Sequence, residues 1–121
     1  MSPCPFCDPS RLVLRNALAG FLWDGYPVTP GHGLVVPLRH APTLFDLTPE
    51  EVAAVWEILQ QARDLPREGP AIDGWNVGVN VGAAGGQSVF HCHVHLIPRR
   101  RGDDPSPRGG VRKVLRSLSP Y

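Results

Sequence analysis

Phe90-His91-Cys92-His93-Val94-His95-Leu96-Ile97-Pro98 decides how this chain folds: three histidines alternate with apolar residues, and the run stops at a proline. Such alternation predicts a half-buried β-strand. Along a strand, side chains at i, i+2 and i+4 share a face and sit roughly 6.5 to 7 Å apart. His91, His93 and His95 are therefore expected on one face, with Cys92, Val94 and Leu96 directed into a core on the other. One histidine is commonly no more than a hydrogen-bonded polar residue, whereas three in register need a chemical reason.

Working outward, Gly74-Trp75-Asn76-Val77-Gly78-Val79-Asn80-Val81-Gly82 also alternates and predicts a strand whose glycines admit another backbone or a ligand. Ala83-Ala84-Gly85-Gly86-Gln87-Ser88 turns the chain between these two strands. A Gly-rich turn there can offer amides and a hydroxyl to phosphate oxygens, although the connection alone would explain it. Upstream, Thr48-Pro49-Glu50-Glu51 is a helix start with a capping box, predicting a helix to about Arg63 or Asp64. Val52, Val55, Trp56 and Leu59, widened by Ile58 and Ala62, form the apolar stripe expected to pack on the sheet. Gly33-Leu34-Val35-Val36-Pro37 reads as a buried strand flanked by His32 and His40, and residues 11–16 and 20–23 as two adjacent strands.

A chain of 121 residues builds one domain with a real core. Its 42% hydrophobic and 19% charged content is that of an ordinary soluble protein, and no window is apolar for the length of a membrane span. The start, Met1-Ser2-Pro3-Cys4-Pro5-Phe6-Cys7-Asp8, lacks the features of a secretion signal, which predicts a cytoplasmic setting and reduced thiols. Three cysteines exclude a fully paired disulfide framework, and Cys92 is expected to be a core thiol. The net charge of +1 is divided between an acidic body and a basic tail, since seven of the twelve basic side chains follow Pro98. That tail suits either an approach to phosphates or plain solvation. Without interleaved aromatics, and at near-zero net charge, dedicated nucleic-acid binding is not expected.

Cys4-Pro5-Phe6-Cys7 has the spacing with which two thiolates grip one metal ion. A redox pair of this kind follows a buried strand, and only three residues precede Cys4. A zinc site or two uncommitted thiols remain.

His91-Cys92-His93-Val94-His95-Leu96-Ile97 resembles the signature of the histidine-triad (HIT) family, three histidines alternating with apolar residues. Supporting positions are Asp24 before His32, Gly31 to Pro37 with His40, and Asn80 followed by Gly86-Gln87-Ser88. Most of residues 4–102 is covered, and the Cys-x-x-Cys resembles that of bacterial zinc-containing members. The resemblance implies an α+β domain over 1–102, with an antiparallel sheet of about five strands and a long helix packed on it. A basic Pro/Gly-rich extension occupies 103–121, and a homodimer is expected.

It implies further a nucleotide hydrolase or transferase acting at the α-phosphate, with His93 as nucleophile. His95 would bind the phosphate and protonate the leaving group, and His32 would tune the cluster. Ser88, Asn80 and Gln87 would contact phosphate oxygens or the leaving group, Asp24 the ribose, and Phe6 with Trp23 the base. Cys4, Cys7, His40 and His91 would hold a structural zinc. An imidazole, with an ordinary pKa of ~6.5, has a lone pair ready for attack at neutral pH. Covalent catalysis then splits one difficult displacement into two easier ones. Dinucleoside polyphosphates and nucleoside phosphoramidates are the expected substrates, and the extension after the triad is closer to the first branch. The alternatives are a non-catalytic or regulatory nucleotide-binding protein of the same fold and, more remotely, a redox protein built on Cys4 and Cys7.

Overall fold

The computed structural model describes residues 4–115; the last part of the basic-apolar run 111–118 lies outside the described residues. Five strands form one antiparallel sheet: β1 (Leu14–Arg15), β2 (Ala19–Trp23), β3 (Gly33–Pro37), β4 (Gly74–Val79) and β5 (Val94–Arg99), in the order β1-β2-β3-β5-β4. One helix, α1 (Pro49–Arg63), begins where the sequence places it. The Thr48 hydroxyl accepts from the Glu51 amide at 3.1 Å, and the Glu51 carboxylate accepts from the Thr48 amide at 2.9 Å. These reciprocal bonds satisfy two amides that a helix start otherwise leaves unpaired.

Helix and sheet enclose the main core, in which Val55, Ile58 and Ala62 meet Ala19, Phe21, Val35, Val94 and Leu96. On the opposite face Leu22, Leu34 and Val36 pack under Phe6 and Leu12 from the N-terminal segment. Gly33 sits at a crossing of layers: a Cβ there would collide with the Phe21 ring. That close approach holds the backbone next to His32 against the core.

Two expectations are corrected. The histidine run is extended from residue 91, but ladder pairing begins only at Val94. Continuing the β3–β5 register would set Cys92 against Pro37, which has no amide hydrogen to offer. The Cys92 amide instead donates to the Ala41 carbonyl at 2.7 Å. The alternation still operates in burial, with Cys92, Val94 and Leu96 all in the core. The second correction concerns α1, which buries Glu51, Val55, Ile58 and Ala62 while Val52 and Trp56 face outward. The helix sits over β2 and β3, and Val52 and Trp56 rim an open groove above Val77, Val79 and Val94 of β4 and β5. Glu51 is accommodated on the buried side because the Arg39 guanidinium grips both of its oxygens at 2.8 and 3.1 Å, holding its carboxyl down at about 2.

Among the described residues no helix is long and apolar enough to cross a membrane.

Candidate active site and metal cluster

His91, His93 and His95 leave the run toward two different centres. His91 is fully buried, and its Nε2 lies 2.7 Å from the Pro37 carbonyl oxygen, so Nε2 carries the hydrogen. That leaves the Nδ1 lone pair for the Cys4 and Cys7 sulfurs, at 3.3 and 3.4 Å. His40 Nδ1 approaches Cys7 Sγ at 3.1 Å, and the four donor atoms all lie within 4.8 Å of one another. A tetrahedral zinc with bonds of ~2.3 Å to sulfur and ~2.0 Å to nitrogen sets S···N separations of about 3.5 Å. The cluster therefore fits that ion in donor type and spacing. The carbonyl behind His91 is the outer partner that orients a metal-binding imidazole. The neighbouring Cys4 thiol raises Cys7 to about 11, a penalty that a divalent cation would reverse.

His93 has the opposite tautomer. Its Nδ1 donates to the His91 carbonyl at 2.9 Å, which leaves the Nε2 lone pair unclaimed. The ring lines a cleft of about 390 Å³ shared with Phe6, Asp24, Tyr26, Ser88 and His95. Phe6, carried between the two cysteines, packs on His93 with ring centroids 4.8 Å apart. The metal cluster thus also positions an aromatic wall of the cleft.

Behind His95 lies a relay whose proton positions follow from its hydrogen bonds. His32 Nδ1 accepts from the Val28 amide at 3.1 Å, so the hydrogen is on Nε2. Nε2 stands 2.9 Å from His95 Nδ1 and 3.2 Å from Asp24 Oδ2. His95 Nδ1 is then an acceptor, and its Nε2 keeps a hydrogen to donate. Burial, with Asp24 opposing, holds His32 below the ordinary histidine value; burial, then His93 and His32, does the same for His95. Both stay neutral near pH 7, as the relay requires.

The turn that delivers His32 is held by two arginines that the sequence did not single out for this task. Arg67 donates to the Gly31 carbonyl at 2.9 Å and to the Ala62 carbonyl at 2.8 Å, with its guanidinium over the Trp23 and Trp75 rings. Arg100 is buried and donates to the Pro30, Glu68 and Pro70 carbonyls and to Thr29 Oγ1. Arg99 is paired with Asp103 and with Asn76. Of the consecutive arginines 99–101, Arg101 is the one whose side chain lies in solvent, its Nε 4.0 Å from Asp73 Oδ1.

Other expected site residues are distributed as follows. Ser88 and Asp24 line the His93 cleft, and Asp24 also caps its own turn by accepting from the Tyr26 amide at 2.8 Å. Trp23 lines an adjoining cleft with Asp24 and Arg67. Asn80 lines a third, on the far side of His95. Gln87 is buried with both ends of its amide committed: it donates to the Pro42 and Val89 carbonyls and accepts from the Gly82 amide, bracing the turn that presents Ser88. Tyr26 and Arg11 also line the His93 cleft without having been expected there. Their only sequence signals were an aromatic ring in a Gly/Pro turn and a charge close to the cysteines.

Comparison with known proteins follows the same lines. The HIT domain family model matches residues 7–102. A bis(5'-nucleosyl)-tetraphosphatase (asymmetrical) of Schizosaccharomyces pombe is 34% identical over 94 residues, covering 78% of this chain and 52% of that protein. A bis(5'-adenosyl)-triphosphatase of Dictyostelium discoideum is 40% identical over 94 residues, covering 78% of this chain and 63% of that protein. The chain thus spans only about half to two thirds of these relatives. Among solved structures, a Zn-bound histidine triad family protein from Mycobacterium smegmatis superposes with a TM-score of 0.70 at 36% identity, covering 84% of this chain and 78% of that one. With its triad, its five-stranded sheet and a match over most of its length, the chain belongs to the HIT domain family.

Proposed function

We propose that the chain is a nucleotide hydrolase or transferase that acts at the α-phosphate through a covalent nucleotidyl-histidine on His93. The observation that carries this reading is the hydrogen bond from His93 Nδ1 to the His91 carbonyl, which turns Nε2 into the cleft as the nucleophile. Nε2 attacks the α-phosphorus, the P–O or P–N bond to the leaving group breaks, and His95 Nε2 donates a hydrogen bond to the departing atom, which takes its proton from water. His32 and Asp24 hold His95 in the required tautomer. Water then attacks the same phosphorus, the P–N bond to His93 breaks, the water's proton passes to solvent, and the nucleotide is freed.

Ser88 and the amides of its turn bind the charge spread over the phosphate oxygens, with Asn80 serving the leaving group and Gln87 acting through the turn that it braces. Asp24 receives the ribose hydroxyls, with Phe6 and Trp23 on the side of the base. Cys4, Cys7, His40 and His91 would hold zinc, which when bound ties the N-terminal segment to the sheet. Substrates of the dinucleoside polyphosphate or nucleoside phosphoramidate classes suit this chemistry, and two relatives named for polyphosphate hydrolysis support the first. Two copies would join through exposed Val52 and Trp56 of α1 and Val77 of the edge strand β4. The setting is cytoplasmic, in keeping with three unpaired thiols.

The test is hydrolysis of diadenosine tetraphosphate and adenosine phosphoramidate by the wild type and His93→Ala. Loss of turnover in the variant supports the nucleophile. A wild type that binds AMP but turns over neither substrate makes the chain a non-catalytic nucleotide-binding protein instead.

A further inference from the structure

We infer that a second cleft beyond His95, roofed by the C-terminal segment, is the leaving-group subsite, built for the distal phosphates and second nucleoside of a dinucleoside polyphosphate, with Lys113 as its cation. The inference rests on the reaction proposed above and adds where the departing half of the substrate goes.

The cleft has a volume of about 410 Å³, close to that of the His93 cleft, and the two meet at Val28, His32 and His95. The side chain proposed to hydrogen-bond the leaving group therefore forms the partition between them. A nucleotidyl half bound against His93 leaves its partner, displaced in line away from the attacking nitrogen, to extend past His95 into the second space.

Floor and roof both suit such a group. Gly78 of β4 is the register partner of His95, and a Cβ built on it meets nothing within 4 Å. The missing side chain is what keeps the space beside His95 open. Asn76 and Asn80 lie two residues either side of Gly78 and share its strand face. Asn76 Oδ1 is taken by Arg99 at 2.6 Å, so its Nδ2 hydrogens remain for an acceptor.

The roof is the short turn Gly110–Arg112 with Lys113 and Val114, whose approach to β4 is close enough that a Cβ on Gly110 would meet Asn76 Nδ2 at 3.4 Å. Val111 and Val114 supply an apolar wall for a base. Lys113 Nζ stands 3.7 Å from Asp104 Oδ2, both partners about one third exposed, a solvated pair that a polyphosphate chain can displace. This gives the basic tail a task the triad alone does not require, because a leaving group as small as ammonia needs neither roof nor cation.

The test compares wild type, Lys113→Gln and Gly78→Val on diadenosine tetraphosphate and adenosine phosphoramidate, which share the adenylyl half and differ in the leaving group. Lys113→Gln removes the charge. Gly78→Val fills the floor with a residue suited to a strand, its fold verified by an unchanged circular dichroism spectrum. In each variant the ratio of kcat/KM for the tetraphosphate over the phosphoramidate is expected to fall about tenfold, the scale of one charge-assisted contact. The fall in Lys113→Gln should shrink at high salt. An unchanged ratio in both folded variants overturns the inference and leaves the enzyme reading standing. So does a wild type that cleaves only the phosphoramidate. Turnover of neither substrate removes the enzyme reading and the subsite together.

Discussion

At one end of the histidine run, His91 gives its Nε2 hydrogen to the Pro37 carbonyl and turns Nδ1 toward two cysteines. Two residues later, His93 gives its Nδ1 hydrogen to the His91 carbonyl and turns Nε2 into a cleft. Both rings are buried, at 0% and 8% exposure, and both are anchored by a backbone oxygen. Burial does not separate them. The difference is which nitrogen the backbone claims and what stands opposite the other: thiols that suit a cation in one case, open space sized for a substrate in the other. A run of three alternating histidines thereby meets two different surroundings, and Phe6, held between Cys4 and Cys7, packs on His93 and links them.

The sharpest way to break this comparison is to exchange the roles. His93→Ala should lower kcat by on the order of 10³-fold or more while leaving the metal content intact, measured by substrate turnover beside elemental analysis. Turnover within tenfold of wild type would place the nucleophile elsewhere. Next in size, Cys7→Ala or prolonged chelation should abolish zinc binding and lower the Tm by on the order of 5–10 °C, with chelation exposing two thiols to titration. No change in Tm and no new thiols would leave His91 without a metal to hold.

Asp24→Asn refines the reactive side. The Asp24 charge opposes burial at both His32 and His95, raising each toward its ordinary value. Removing it lets both pKa values fall further, so the neutral relay persists to lower pH. The acid limb of kcat set by this pair should shift downward in pH, with kcat reduced roughly tenfold by the looser relay. A limb that moves upward in a pH–rate profile would show that the carboxylate does not act through these rings. Smallest, Thr48→Ala removes the hydroxyl that caps α1 and lines neither centre. It should cost about 1 kcal/mol in denaturant unfolding, with zinc content and turnover unchanged.

Legibility in the sequence followed the range of the forces. The α1 boundary was readable because Thr48, Pro49 and Glu51 complete their hydrogen bonds within four residues of chain. The burial of Cys92, Val94 and Leu96 was readable for a similar reason, since alternation is a property of the local backbone. The start of β5 was not, because it depends on a proline in a different strand. Nor was the outward edge of α1, where Val52 and Trp56 look identical to core residues until the position of the helix over the sheet is known. The bracing roles of Arg67 and Arg100 were not readable because their partners are mainly carbonyl groups, which every residue carries and no sequence pattern marks.

By itself, then, the sequence determined the elements, the reactive strand and the inventory of donors: three alternating histidines, a cysteine pair and an acid before His32, all set by residue type and short-range spacing. Tertiary structure alone decided which donors meet. It assigned His91 to the cysteines and His95 to His32, committed Gln87 to the backbone, and laid residues 110–114 over β4. The physical reason is that the tautomer of an imidazole and the direction of a guanidinium are set by single hydrogen bonds 2.6–3.4 Å long. The partners of His91, His95 and Arg100 lie tens of residues away in the chain, where only the packed sheet brings them together.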